Sequence, residues 1–126
     1  MITRRIVYPL LLLVLILLFN NSCVHDPMGI DKMDTVCFEG KIKPIIQTSC
    51  GISGCHSGGG EGMSLTNYSE IMSIVNPGNA AKSQLYKVIT EVNGGNMMPP
   101  NRPLTKEQRT LILVWIEQGA NETTCP

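Results

Sequence analysis

The sequence has few aromatic residues, few histidines and no run of basic residues. Its 126 residues include 2 Phe, 3 Tyr, 1 Trp and 2 His. Because no basic cluster is interleaved with aromatic residues, the sequence gives no indication of nucleic-acid binding. No stretch alternates apolar and polar residues as strands do, and no internal repeat is present. We therefore predict an all-α fold.

The zero net charge of the whole chain hides a difference between its N-terminal segment and the rest. Arg4 and Arg5 precede an apolar run from Leu10 to Phe19, which is the order found in a signal peptide. This run is too short for a comfortable membrane span. From Cys23 onward the chain has 8 basic and 10 acidic residues, a net charge of −2.

Cys23 follows the apolar run closely and is preceded by the small residue Ser22. This arrangement resembles a bacterial lipoprotein cleavage site, so we predict that residues 1–22 are a signal peptide and that Cys23 carries a lipid anchor. An uncleaved anchor and an ordinary secretion signal are the alternatives. All three place the domain outside the cytoplasm, where disulfides persist. The expected location is the bacterial cell envelope, facing the periplasm or the surface.

Residues 23–35 contain Pro27, Gly29 and three aspartates with little apolar periodicity. We predict that they form a flexible tether and that the domain covers residues 36–126. His25 lies in this tether, which gives it no fixed geometry, and we interpret it as a solvated histidine.

The stretch from Cys50 to His56 carries the clearest chemical signal. Cys50 and Cys55, with a histidine directly after the second, form an attachment motif for covalent haem. Each thiol can add across one vinyl group of the porphyrin, and His56 can then bind the iron as the proximal ligand. Four residues separate the cysteines instead of the usual two. Gly51 and Gly54 permit the sharp bend that this wider loop needs.

Four short helices are predicted, with long loops between them. They run from about Pro44 to Ser49, from Thr66 or Asn67 through Val75, from Ser83 to about Glu91, and from Thr105 to Gly119. The last helix has the strongest signal, because Thr105 and Gln108 fit a capping box and Gly119 fits a C-terminal stop.

The order of these features resembles the small class I-type c-type cytochromes. In that family the attachment motif is followed by a helical middle, a loop with Met-Pro, and a helix ending in Trp-Ile-x-x-Gly-Ala. Here the loop is Met97 to Pro100, the helix ends with Trp115 to Ala120, and Pro77-Gly78-Asn79 resembles the family's middle segment. The resemblance covers residues 36–125. It implies a class I cytochrome c-like bundle of about four short helices around one covalently bound haem c.

The resemblance also implies that Met98 is the second axial ligand, because the family's ligand directly precedes the proline pair. A thioether is a soft ligand that raises the reduction potential. Neighbours in an extended chain point in opposite directions, so Met97 and Met98 cannot both reach the iron. The remaining methionines, Met28, Met33, Met63 and Met72, are interpreted as core residues. Met63 and Leu65 are also candidates for the lining of the haem pocket.

With His56 and Met98 closing both faces of the iron, we expect an electron-transfer protein and not an enzyme. Its partner would be a redox protein or a membrane oxidoreductase. One alternative is a haem-based sensor or small redox enzyme in which Met98 is displaceable. Another is a haem-free secreted module whose cysteines form disulfides or bind zinc. Zinc needs about four ligands, and Cys50, Cys55 and His56 are too close together to form a good zinc site alone.

Two of the 5 cysteines remain once Cys23 is assigned to lipid and the motif cysteines to haem. These are Cys37 and Cys125, and paired cysteines are favoured in an oxidising compartment. In class I-type cytochromes the first and last helices pack together. The resemblance therefore implies a Cys37–Cys125 disulfide, the alternative being that Cys125 frays at the chain terminus and stays free.

Overall fold

A computed structural model of the chain describes residue 29 and residues 33–59, 62–91, 95–100 and 102–126. The predicted signal peptide, Cys23, His25 and most of the tether lie outside these residues. The described residues are helical and contain no strand, in agreement with the predicted all-α class. None of the helices among them is long and apolar enough to cross a membrane.

The described residues form four α-helices, α1 (Lys43–Ser49), α2 (Tyr68–Met72), α3 (Gln84–Thr90) and α4 (Lys106–Glu117). A π-helical turn (Phe38–Ile42) leads into α1, and a 3-10 turn (Ala80–Lys82) leads into α3. Pro44 lies in the first turn of α1, where a missing N–H costs least. The sequence therefore predicted the four helices. The apolar spacing from Phe38 through Ile46 is helical, but the π form of the turn before α1 and the 3-10 turn before α3 were not predicted.

Capping explains where α2 and α4 begin. Thr105 and Gln108 form the predicted capping box at α4, with hydrogen bonds of 2.9 and 3.2 Å. Asn67 and Glu70 form a second capping box at α2. Each box satisfies backbone N–H groups that have no partner within the helix.

Two details of the predicted helices are wrong. α2 ends at Met72, before the predicted end at Val75, because the N–H groups of Ile74 and Val75 donate three residues back, to Ile71 and Met72 at 3.2 Å, and not four as in an α-helix. Ser83 precedes α3 but makes no side-chain cap. Its buried hydroxyl accepts instead from the N–H of Asn76, at 2.8 Å, and stabilises the turn between α2 and α3.

The core lies between the π turn and α4 and also includes buried side chains from α1, α2 and α3. The Phe38 and Trp115 rings are 5.6 Å apart, and Tyr68 meets Phe38 edge-on at 5.1 Å. The largest fully buried apolar side chains are Trp115, Phe38, Ile42, Ile46, Ile71, Ile89, Ile112, Ile116 and Val114. The first helical segment thus packs against the last helix, which brings the two ends of the domain together.

A disulfide joins Cys37 and Cys125 across these two ends, with their Cα atoms 5.3 Å apart. The predicted pairing is present, and Cys125 is not a free thiol. Gly40 lies directly beside the bridge, and a Cβ at that position would clash with Cys125 Sγ. The N–H of Glu39 also donates to the Thr123 carbonyl at 3.0 Å, so the bridge is embedded in other contacts.

Candidate functional site

An apolar cavity of about 290 Å³ is formed by the loop after α1, the loop before α2, and α3. Three of the four predicted haem-binding residues line it, namely Cys50, His56 and Met98. The apolar part of its wall consists mainly of Leu65, Ile74, Leu85, Val88 and Ile89. Its volume is at the lower end of the range of about 300 to 1,000 Å³ that is typical of small-molecule sites.

The segment from Cys50 to His56 folds back on itself. The N–H of His56 donates to the Cys50 carbonyl at 3.0 Å, which closes the loop. Gly54 has a φ of 81°, a conformation that favours glycine. Gly51 has no positive φ, and a Cβ there would meet Gln47 at an ordinary contact distance of 3.4 Å. Of the two glycines predicted to allow the bend, only Gly54 is conformationally required.

The two motif cysteines lie in different surroundings, and both thiols are free. Cys50 is buried, and this burial, together with the nearby Cys55, raises the pKa of its thiol above the ordinary 9.0. Cys55 is exposed and lines a second cavity of about 360 Å³ with Pro99 and Pro100. The structure therefore brings Cys50, His56 and Met98 to one cavity and places Cys55 at another.

One hydrogen bond fixes the orientation of the His56 imidazole. Its Nδ1 lies 2.7 Å from the backbone carbonyl oxygen of Met63. Because a carbonyl can only accept, Nδ1 carries the proton, and Nε2 of the neutral ring keeps its lone pair. The N–H of Leu65 also donates to the His56 carbonyl at 2.9 Å. The segment 63–65 thus holds both the backbone and the ring of His56.

A carboxylate at the start of α2 holds that segment in turn. Glu70 Oε2 accepts from the Ser64 hydroxyl at 2.7 Å and from the Thr66 N–H and hydroxyl at 2.8 and 2.9 Å. These hydrogen bonds, with that of Ser64 the largest contribution, lower the pKa of Glu70 to about 2. The sequence analysis did not single out Glu70, although a glutamate three positions after Asn67 is a capping-box signal.

The two adjacent methionines line different cavities. The N–H of Met98 donates to the Val88 carbonyl in α3 at 2.9 Å, and its side chain borders the cavity of His56. Met97 borders another cavity, with Glu91 and Arg109. The peptide bond between Met98 and Pro99 is cis. Only Met98 therefore shares a cavity with His56; its role as a ligand remains a prediction.

The interpretation of the remaining methionines as core residues is wrong for two of them. Met33 is 44% exposed and Met63 is 49% exposed. Met33 precedes the first helical segment, and Met63 lies on the loop at the cavity, so neither is enclosed by helices. Met72 does pack against the core, and Met28 lies outside the described residues. The predicted lining residues Met63 and Leu65 both border the cavity.

Among the described residues, no group of three or more His, Cys, Asp or Glu side chains is arranged to hold a metal ion. The described part of the chain thus offers no zinc cluster of the kind that the haem-free alternative would use.

A family model described as Planctomycete cytochrome C matches residues 53–102 of the chain. The matched stretch includes Cys55, His56 and Met98 and begins after Cys50. The match supports a cytochrome c-like domain, and members of the cytochrome c family are in general electron carriers with haem c. No curated protein and no solved structure gives a significant match.

Proposed function

We propose that this chain is a c-type cytochrome that binds one haem through Cys50 and Cys55 and transfers single electrons. The observation that carries the proposal is the 2.7 Å contact between His56 Nδ1 and the Met63 carbonyl, which assigns the proton to Nδ1 and leaves Nε2 available in a residue that lines the same apolar cavity as Met98. Histidines that bind metals almost always donate their other N–H to a carbonyl or carboxylate. The Met63 carbonyl is such an acceptor.

The residue types around the cavity fit a haem, and Cys55, which lines the neighbouring cavity, belongs to the same short segment as Cys50 and His56. The walls of the cavity are mostly apolar, and two free thiols belong to the segment that carries His56. When bound, haem supplies the reversible ferric–ferrous couple of its iron. His56 and Met98 would hold the iron, Cys50 and Cys55 would hold the porphyrin, and the apolar walls would exclude water from it.

Two axial ligands from the chain favour electron transfer over catalysis or gas sensing. A sensor or a redox enzyme needs an open coordination position on the iron, so the Met98 thioether would have to dissociate from it. The Met98 N–H donates a hydrogen bond to the Val88 carbonyl, and this restraint on the backbone of Met98 favours a ligand that stays bound to the iron. A haem-free secreted module is the second candidate, because the Cys37–Cys125 disulfide stabilises the fold whatever the cavity holds.

The proposal extends to location and partners. Residues 1–22 would be removed as a signal peptide, and Cys23 would carry a lipid that anchors the domain through the tether of residues 23–35. The Cys37–Cys125 disulfide supports an oxidising compartment, in keeping with the cell envelope. The electron partner would be a redox protein or a membrane oxidoreductase.

The direct test is a reduced pyridine haemochrome spectrum of the full-length protein, matured with a c-type haem assembly system. We expect the band of a haem with thioether bonds; its absence would favour the haem-free module. His56→Ala should lose the low-spin spectrum and mature poorly. His25→Ala, which changes the only other histidine, is the matched control and should behave like the wild type. A normal low-spin spectrum at wild-type yield in His56→Ala would contradict the assignment.

A further inference from the structure

We infer that Glu70 is a positioning residue for His56. Its carboxylate fixes the loop of residues 63–66 so that the Met63 carbonyl faces the imidazole N–H. The inference rests on the proposed function, because it concerns how strongly His56 donates to a bound iron.

The first step is that Glu70 restrains the loop through hydrogen bonds. A single carboxylate oxygen accepts from Ser64 and twice from Thr66, at 2.7 to 2.9 Å. A carboxylate only accepts, and hydrogen bonds to an ionised acceptor are about twice as strong as neutral ones. Apart from the bond between His56 itself and the Met63 carbonyl, the other side-chain bonds to this loop are longer, at 3.3 Å between Ser64 and Thr66, 3.4 Å from Gln47 and 3.9 Å from Ser73. Glu70 therefore provides the main side-chain restraint on the loop.

The second step leads from the loop to the histidine. Met63 directly precedes Ser64, and its carbonyl lies 2.7 Å from His56 Nδ1. Leu65, between the two residues that Glu70 binds, donates its N–H to the His56 carbonyl at 2.9 Å and is 4% exposed. A shift of this loop would therefore move the acceptor of the imidazole proton and the residue that anchors the backbone of His56.

The third step concerns the chemistry of the imidazole. A hydrogen bond from Nδ1–H to a carbonyl raises the basicity of Nε2 and fixes the ring orientation. A more basic Nε2 favours the ferric state over the ferrous state. Loosening the loop weakens that bond, so the reduction potential should rise and the bond between iron and histidine should weaken.

The test compares three variants of the haem-loaded, full-length protein. Glu70→Ala removes the carboxylate, and Glu70→Gln keeps an acceptor oxygen without the charge. Asn67→Ala is the matched control, because the Asn67 side chain caps α2 through Glu70 N–H but makes no bond to Ser64 or Thr66. The readouts are the midpoint potential from a spectroelectrochemical titration and, in a Met98→Ala background, the ferrous iron–histidine stretching frequency from resonance Raman spectra.

Glu70→Ala should raise the potential and lower the stretching frequency, and Glu70→Gln should shift both by a smaller amount in the same direction. Asn67→Ala should lower thermal stability and leave both readouts at their wild-type values. Equal shifts in Glu70→Ala and Asn67→Ala would overturn the inference, since capping of α2 would then account for the effect. Unchanged readouts in both Glu70 variants would overturn it as well.

Two further comparisons keep the test decisive. If Glu70→Ala does not mature, Glu70→Gln and Ser64→Ala must each shift the potential upward, or the inference fails. If the wild-type protein carries no thioether-bound haem, the proposed function fails and the inference fails with it. A normal His56–Met98 spectrum combined with an unaltered potential in the Glu70 variants would refute the positioning role alone.

Discussion

Removal of the Cys37–Cys125 disulfide should lower the free energy of unfolding by about 4 to 5 kcal/mol in the chain-entropy treatment. The magnitude follows from the 88 residues of sequence separation that the bridge spans. An unfolded chain without this cross-link has many more conformations. Small domains have a total stability of about 5 to 15 kcal/mol, so the bridge would supply a large share of it.

The folded state should change little when the bridge is lost, because other contacts hold the same two ends. Phe38 N–H donates to the Thr123 hydroxyl at 3.2 Å, and Val36 N–H donates to the Gln118 side chain at 2.9 Å. The lower free energy of unfolding should therefore arise from the larger conformational entropy of the unfolded chain and not from a change in the folded state. The haem spectrum of Cys125→Ser should match that of the wild type, while the melting temperature falls by roughly 15 °C or more.

Guanidinium denaturation of the haem-loaded protein, followed by circular dichroism, measures the effect. Gln118→Ala is the matched control, because it removes noncovalent contacts to the same N-terminal segment and should cost about 1 to 2 kcal/mol. The reasoning is refuted if Cys125→Ser costs no more than Gln118→Ala. It is refuted equally if fresh, unreduced, fully haem-loaded wild-type protein, in which Cys50 and Cys55 are bound to haem, titrates two free thiols.

Three other variants test the site, the anchor and the loop. Met98→Ala should abolish the ferric sulfur-to-iron charge-transfer band, lower the potential and let the ferrous form bind carbon monoxide; if Met97→Ala does so instead, the ligand is its neighbour. Cys23→Ser should release the protein from membranes, and an unchanged membrane fraction with a cleaved signal would contradict lipidation. The pKa of Glu70 is lowered from 4.5 to about 2, so its stabilisation is present above pH 4.5 and is lost as the pH falls towards about 2. The melting temperature of Glu70→Gln should therefore fall less than that of the wild type as the pH is lowered from 4.5 towards 2. Equal falls in the two proteins would contradict this.

Local signals predicted the helices well, because capping depends on residues a few positions apart. The Thr105 and Gln108 box was read from the sequence and is present at α4. The early end of α2 was not predictable in this way, because the apolar spacing through Val75 is the same whether the backbone bonds run four residues back or, as they do after Met72, three. The 3-10 turn before α3 likewise has no periodic apolar pattern that would reveal it.

The sequence identified which residues belong to the candidate site, but it could not predict their burial or their hydrogen-bond partners. The motif named Cys50, Cys55 and His56, yet the burial of one thiol and the exposure of the other arise from tertiary packing. The acceptor for His56 is a backbone carbonyl, that of Met63. Every residue type carries a backbone carbonyl, so no side-chain pattern could have identified it. Glu70, which binds the residues after Met63, did leave a signal in the sequence, because it stands three positions after Asn67 as in a capping box.

The disulfide and the cavity occupy separate parts of the described structure. Neither Cys37 nor Cys125 lines the cavity, and neither His56 nor Met98 contributes to the mainly apolar core around Trp115. Sites without shared partners have nearly additive effects on stability. The disulfide can therefore stabilise the fold independently of His56 and Met98. The cavity is formed by two loops together with α3, and its wall residues Leu65, Leu85 and Ile89 also belong to the core, but the loops that carry and contact His56 are positioned by a few hydrogen bonds. Changes to those loops should alter the potential of a bound haem more than they alter the stability of the domain.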